Sequence, residues 1–446
     1  MNVRIIPGKL HGSITAMPSK SHAHRVLIAQ KLSQLQGRAS EDPLFIPEFS
    51  RDITATKKCL SQLDVKQEQE NSRIPYLDCG ESGSTLRFML PVAMAVTDSA
   101  VFAGAGKLPQ RPISPLKEEM ENHGCTFSMA SGAGPDAKSP VDEKNVREIC
   151  TIEGRLQPGE YSLPGNISSQ FITGLLFALP LLEEDSRLHI TTKLESAGYV
   201  ELSMDVLRDF GIEIQTATDK NDFITYIIPG RQQYTEPEGL AIEGDWSNAA
   251  FWLASGALGG HVTCDGLKMS SSQRDKDIVK VLKDLGVSVE ISEDSSTGLA
   301  SVTCSTLPQT GSTSGLSGIE LNVTQIPDLV PVLAAVMSAA EGHSEITGAE
   351  RLKIKESDRL ATVCDFLQRL GADVACREAG LSISGTSRLS GGTVTSHNDH
   401  RIAMAAAVAS CICENSVTIE HAEAVSKSYP DFFDDFRKLG GDVTEI

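Results

Sequence analysis

Several arginines and lysines in this sequence stand where their charge can be aimed. Lys20-Ser21 is followed by Arg25 and Ser84 by Arg87, while Ser168-Ser169-Gln170 and Asp399-His400-Arg401 repeat the theme. In each case polar groups stand directly before a long apolar run. A helix opening there offers free N–H groups and the positive end of its dipole, which together favour an anion. Taken singly, each is also what an N-cap beside a solvated cation looks like. Arg111 lies in Leu108-Pro109-Gln110-Arg111-Pro112-Ile113, where prolines stiffen the backbone under its fork. Lys353, Lys355 and Arg359 share a short run with Glu356 and Asp358. On a helix Lys355 and Arg359 would share a face and repel unless an anion bridged them, although the run also fits an exposed helix start with i,i+3 and i,i+4 pairs. Lys427, in Lys427-Ser428-Tyr429-Pro430-Asp431, is a last cation before a final helix. Such groups suit a small anionic substrate.

Other chemistries lack their residues. There is no GxxxxGK[ST], no GxGxxG opening a strand-to-helix turn, no GxSxG and no HExxH. Gly80-Glu81-Ser82-Gly83-Ser84-Thr85 is rich in glycine and serine but means little alone. His397 and His400 lack a third partner at ligand spacing, and the ten cysteines are scattered, so no metal and no cofactor is expected. Cys411-Ile412-Cys413 lies in an apolar run and reads as core. A net charge of −19 argues against a nucleic-acid partner, but not against a small anion drawn to local cations. No apolar run reaches the roughly 18–20 residues of a membrane span. The opening Met1-Asn2-Val3-Arg4-Ile5-Ile6-Pro7 has no signal-peptide core, which points to the cytoplasm.

The elements that must position these groups show in self-comparison. Six apolar runs of about a dozen residues begin near Ser21, Ser84, Ser169, Ser247, Asp328 and His400. Apolar on most faces, they read as helices buried inside a domain. Each is followed by an amphipathic helix closing near a glycine, as in 277–286 and 357–371. In the latter, Leu360, Val363, Cys364 and Leu367 make one stripe. Alternating stretches such as 287–292 and 226–229 supply strands, giving six α+β units, each with a small sheet, a buried helix and an exposed one. The segment 229–239, rich in Pro, Gly and polar residues, reads as a crossing that splits the units three and three, while 128–147 and 292–318 read as surface loops or irregular hairpins. A chain of 446 residues is too long for one core.

Nine motifs in order resemble the enolpyruvyl transferase family, on the side that acts on shikimate 3-phosphate. They are Pro18–Arg25, Gly80–Arg87, Gln110–Ile113, Ser168–Gln170, Ser196–Tyr199, Ile326–Asp328, Lys355–Arg359, Asn398–Arg401 and Lys427–Asp431. The resemblance implies an α/β fold, an inside-out α/β barrel of two similar domains, each of three βαβαββ-type units with buried parallel helices. One domain would hold residues 19–239 and the other 1–18 plus 240–446, with hinges near 18–20 and 229–240. It implies transfer of the enolpyruvyl group of phosphoenolpyruvate to the 5-hydroxyl of shikimate 3-phosphate, with loss of phosphate from a tetrahedral intermediate, by a monomer. Lys20, Ser21, Arg25, Ser168, Ser169, Ser196, Asp328 and Lys355 would bind shikimate 3-phosphate. Lys20, Gly83, Arg111, Gln170, Arg359, Arg401 and Lys427 would hold phosphoenolpyruvate. Asp328 would take the hydroxyl proton, and Glu356 with Lys20 would manage the proton at the methylene, with the reverse allocation between Asp328 and Glu356 open. Repulsion among the cations would hold the free cleft open until substrate anions relieve it.

The sequence departs from the family pattern at Glu81 and Arg351, where many members have asparagine, and at Ser84, where threonine is frequent. Two alternatives share part of this pattern. The sister transferases acting on UDP-N-acetylglucosamine carry a cysteine five residues before the arginine at 111, and Gly106 stands there. A non-enzymatic acidic ring of repeats accounts for six units and the charge, but needs a basic lining and gives no part to Asp328, Glu356 or Lys20.

Overall fold

In the computed structural model, residues 1–63, 74–134, 145–306 and 315–446 are described. Helices of two kinds alternate: α1 (Lys20–Leu35), α2 (Arg51–Ser61), α3 (Gly83–Val96), α4 (Leu116–Asn122), α5 (Ser169–Ala178), α6 (Ala197–Asp209), α7 (Trp246–Ala257), α8 (Ile278–Asp284), α9 (Val330–Met337), α10 (Arg359–Arg369), α11 (His400–Ala409) and α12 (Phe432–Lys438). The odd-numbered helices are the six apolar runs. All of α9 and α11 is buried, as continuous apolar sequence requires. The even-numbered helices are two-faced. On α10 the stripe Leu360, Val363, Cys364 and Leu367 is buried, with Phe366 added.

Glycine follows α4, α6, α8, α10 and α12, where Gly124, Gly211, Gly286, Gly371 and Gly440 all have φ between 79° and 93° or, at Gly286, 98°. This left-handed conformation is the one in which a side chain costs most. The expectation of a closing glycine fails at α2, which ends on Gln62 in the right-handed region.

Among the described residues, five of the six helix pairs are threaded through a small sheet. Strands Tyr76–Asp78, Ser99–Gly104, Arg147–Glu153 and Thr126–Met129 form one four-stranded sheet in that spatial order. The first two are parallel and joined through α3; the others pair antiparallel. The same order and sense recur around α5 and α6, α7 and α8, α9 and α10, and α11 and α12. A parallel pair needs a crossover, and a helix supplies it; the antiparallel pair closes as a hairpin. The unit is therefore βαβαββ, complete five times among the described residues. The repeat holding α1 and α2 shows no sheet of its own among the described residues; residues 64–73, which follow α2, lie outside them.

By its internal contacts the chain divides into Lys20–Ile242 and Met1–Ser19 with Glu243–Ile446. In the second unit, the strands Val3–Ile6 and His11–Thr15 join sheets built from residues hundreds of positions away. Each unit has its own apolar core. The stretch 229–239 is packed inside the first unit: Tyr234 is buried with its hydroxyl on the Phe177 carbonyl, and Glu236 takes a bond from Gln30. The backbone there is irregular, as its composition predicts, and the buried aromatic anchors it. Within 292–318 the structure shows a regular hairpin, Ser288–Asp294 against Leu299–Ser305, because alternate residues Ala300, Val302 and Cys304 are buried. Within 128–147, Met129 and Arg147 end and begin paired strands; residues 135–144 and 307–314 lie outside the described residues.

Candidate active site

The expected site residues divide between the two units. In Lys20–Ile242, α1 carries Lys20, Ser21 and Arg25. The Lys20 ammonium is 2.9 Å from the Asp52 carboxylate in the first turn of α2. Arg25 is buried, and its guanidinium donates to Ser203 Oγ at 2.8 Å, to the Ser21 and Tyr199 carbonyls at 2.6 and 2.7 Å, and to Thr173 Oγ1 at 3.4 Å. It also lies over the Phe88 ring. No carboxylate among the described residues is in ion-pair contact with it. Burial pulls this guanidinium down to about 9, which leaves it charged at neutral pH. A buried charge compensated only by neutral oxygens raises the potential around it.

Helix α5 opens on Ser168, whose Oγ accepts from the Gln170 N–H, with Ser169 next to it and both serines buried. The Gln170 side chain is clamped at both ends: its Oε1 accepts from Arg87 at 2.6 Å and its Nε2 donates to Ser84 Oγ at 2.8 Å. The Arg87 guanidinium also reaches the Pro112 carbonyl and lies over Phe171. Arg87 thus holds Gln170, a contact that the resemblance does not assign; its place four residues after Gly83 is the signal for it in the sequence. Helix α3 is capped by Ser82, not Ser84, which frees Ser84 for Gln170. A Cβ on Gly83 would lie 2.5 Å from Arg111 Nη1, so only glycine lets that fork settle over the helix start. A Cβ on Gly106, at φ 57°, would meet the Glu81 carboxylate at 2.5 Å. Ser196 is buried at the start of α6 in the left-handed region, with φ 54°.

In the other unit the groups form an alternating lattice of charge. Arg359, 1% exposed, opens α10 and donates to three carboxylates: Asp328 at 2.8 Å, Glu356 at 2.7 Å and Asp399 at 2.8 and 3.2 Å. Burial alone would lower this guanidinium, but Asp399, Glu356 and Asp328 outweigh it and hold it above its ordinary value. Asp399 is wholly buried as the cap of α11 and accepts from Ser357 and the Arg401 N–H. Burial would raise its carboxyl; the Arg359 charge overrides that and holds it below the usual range. Asp328 receives Lys355 at 3.2 Å as well as Arg359, and Arg401 lies 3.8 Å away while donating to the Asp328 carbonyl at 3.1 Å. Burial first lowers the Lys355 ammonium, with Asp328 opposing and Arg359 reinforcing. Lys427 is buried with its ammonium on the Asn398 carbonyl.

One expectation changes. Lys355 and Arg359 do not share a helix face, because Lys355 ends the turn Glu350–Ile354 in extended conformation and α10 begins at Arg359. The anion that bridges them is the Asp328 carboxylate. Within their own units Lys20, Lys355, Arg359 and Arg401 each face a carboxylate. Asp328 does not cap α9, whose N-cap is Leu329 with no side-chain bond, so its carboxylate is spent on the cations. Cys411 and Cys413 are buried in the core, and burial pushes both thiols up to about 12. No described helix is long and apolar enough to cross a membrane.

The chain is similar to known proteins over its whole length. The model of the EPSP synthase (3-phosphoshikimate 1-carboxyvinyltransferase) family matches residues 5–436. The 3-phosphoshikimate 1-carboxyvinyltransferases of Clostridium kluyveri and Clostridium acetobutylicum are each 41% identical to it, with 99% of this chain and 98% of theirs aligned. The fold matches an EPSP synthase of Acinetobacter baumannii at TM-score 0.73 with 22% identity, covering all of both chains. It also matches an enolpyruvyl transferase of Streptomyces tendae at TM-score 0.68 with 15% identity, covering 99% and 98%. Five complete βαβαββ units and a family match spanning nearly every motif described above lead to one conclusion: the chain belongs to the EPSP synthase (3-phosphoshikimate 1-carboxyvinyltransferase) family.

Proposed function

We propose that this chain joins phosphoenolpyruvate to the 5-hydroxyl of shikimate 3-phosphate and releases phosphate. The observation that carries this reading is the cluster of Asp328, Lys355, Glu356 and Arg359, where groups able to move a proton stand in ion-pair contact with groups able to hold an anion. Hydroxyls and cations suit a sugar-acid phosphate, so Lys20, Ser21, Arg25, Ser168, Ser169, Ser196, Asp328 and Lys355 are assigned to shikimate 3-phosphate. Planar forks and cations suit a carboxylate beside a phosphate, so Lys20, Gly83, Arg111, Gln170, Arg359, Arg401 and Lys427 are assigned to phosphoenolpyruvate, with Arg87 holding Gln170.

In the first half of the reaction the enol methylene gains a proton and C2 becomes cation-like. The 5-hydroxyl attacks C2 while Asp328 takes its proton, and a tetrahedral adduct results. In the second half the C–O bond to phosphate breaks and the methyl gives back its proton, restoring the double bond. Glu356 with Lys20 manages the proton at that carbon. No metal or cofactor is needed to balance these steps. We further propose a cytoplasmic monomer without a nucleic-acid partner, the last supported by the net charge of −19.

The test is phosphate release by the purified chain, expected only when both substrates are present. Equal release with UDP-N-acetylglucosamine in place of shikimate 3-phosphate would assign the chain to the sister reaction.

A further inference from the structure

Asp275 has no part in the reaction as written above, and its surroundings differ from those of the carboxylates around it. It lies in the turn Arg274–Asp277 that leads into α8 and is 4% exposed. Asp328 and Asp399 both hold guanidinium groups in contact. Asp275 has no cation within ion-pair distance among the described residues. Its hydrogen bond comes from the Ser247 hydroxyl in the first turn of α7. The charges facing it come from three elements: Asp245 at the cap of α7, Asp328 before α9, and Arg401 on α11. On its own turn Arg274 is exposed, Asp277 is half-buried, and the Lys276 ammonium is taken by the Met269 and Ser271 carbonyls.

Burial first, then the Asp328 charge, pushes the Asp275 carboxyl up to about 6, against the pull of Arg401 and the Ser247 hydroxyl. A carboxyl that changes charge near neutrality thus faces both the proposed base and a proposed phosphoenolpyruvate arginine. That arginine is already tied to the base by its bond to the Asp328 carbonyl.

The structure assigns Asp275, braced by Ser247, the part of a positioning residue: its carboxylate, facing Arg401 and Asp328 together, tempers the pull of Arg401 on an anion and drives Asp328 to accept a proton. The assignment rests on the proposed function for the identity of the base and the anion. Its physics is simple. A nearby like charge makes a carboxylate a stronger base, and an opposite charge weakens an arginine's hold on a third ion.

The experiment compares kcat and KM for phosphoenolpyruvate in the full-length wild type, Asp275→Asn and Ser247→Ala across roughly pH 4.5 to 9. The wild-type profile is expected to show a step near pH 6 that Asp275→Asn removes. At the alkaline end Asp275→Asn should lower KM by roughly three- to tenfold and kcat by about tenfold or more, a split that a structural defect would not give. Ser247→Ala removes a hydrogen bond that favours the carboxylate, so the step should move up by roughly half a pH unit or more. A step that stays in place in both variants overturns the assignment, as do changes in kcat that only follow a loss of melting temperature. Should Asp275→Asn fail to fold, the Ser247→Ala profile decides alone. If the wild type shows no turnover, the carboxyl 13C resonance of Asp275 in the substrate-free chain still titrates. Failure of the proposed reaction and failure of this assignment are therefore read separately.

Discussion

Replacing Asp328 with asparagine tests the centre of the proposed mechanism, and the structure sets what each outcome means. The substitution keeps the side chain's shape and one oxygen to accept from Arg359 and Lys355, while it removes the charge and turns the second oxygen, near Arg401, into an NH2 donor. Arg359 would keep Glu356 and Asp399 as carboxylate partners. Removing the sole partner of a buried charge costs about 3–5 kcal/mol. Arg359 keeps two of its three partners but the part-buried Lys355 loses its carboxylate, so a loss of about 2–3 kcal/mol is expected, which lowers the melting temperature by roughly 4–12 °C. Helix α9 should be unaffected, because Asp328 does not cap it. If Asp328 is the base, turnover falls by about 10²–10⁴-fold, equivalent to roughly 3–5 kcal/mol of transition-state stabilisation. The assay pairs steady-state phosphate release with a thermal melt and with binding of shikimate 3-phosphate by calorimetry. Binding should survive while turnover collapses. An enzyme that keeps within a few-fold of wild-type turnover would make Asp328 a holder of Arg359 and pass the proton to Glu356.

Other consequences can be checked as directly. Arg25→Lys replaces a fork that meets four acceptors with a single ammonium, and should cost about 3 kcal/mol in urea unfolding as well as weakening shikimate 3-phosphate. Gly83→Ala should leave stability unchanged or slightly better, since alanine favours a helix, yet raise KM for phosphoenolpyruvate by about tenfold as the new Cβ displaces Arg111. Nine cysteines are buried and Cys376 is exposed, so a disulfide-forming thiol reagent should label one thiol rapidly in the native chain and all ten only after unfolding. Asp275 sits at about 6 when folded against 3.8 as its reference, so the folded state pays for ionising it: stability falls as pH rises from about 4 to 6 and stays lower above. Relative to wild type, Asp275→Asn should therefore gain stability on the order of 1–3 kcal/mol above pH 6 and little at pH 4, measured by denaturant melts at both.

Much of the fold was legible because its determinants are local. An apolar run such as 330–337 has no polar face to give to water, so it becomes a buried helix wherever the chain goes. The stripe on α10 and the left-handed glycines after the amphipathic helices are settled by neighbours within a few residues. The sheets were less legible. The strands Val3–Ile6 and His11–Thr15 complete sheets whose other members come from the far end of the chain, and no local pattern states that pairing. Composition reads the stretch 229–239 as irregular, which it is, but cannot say what it packs on. Its composition is that of a loop, but Tyr234 has a buried place to fill.

The candidate site divides along the same line. Residue types and spacing marked Lys20, Arg25, Arg111, Lys355, Glu356, Arg359 and Arg401, because cations beside helix starts and carboxylates beside cations are patterns within a few positions, while the role of Asp328 came from the family resemblance. They could not say which carboxylate meets which cation. Asp52 on Lys20, Arg87 on Gln170, Asp399 on Arg359 and Ser247 on Asp275 are pairs separated by 28 to 83 residues. A charge acts through space and burial, not along the chain. The sequence by itself therefore determined the repeated helices and the inventory of reactive groups. Only the packing of α7, α9, α10 and α11 decided that Asp328 would be wrapped in cations while Asp275, no less buried, would be left with a hydroxyl.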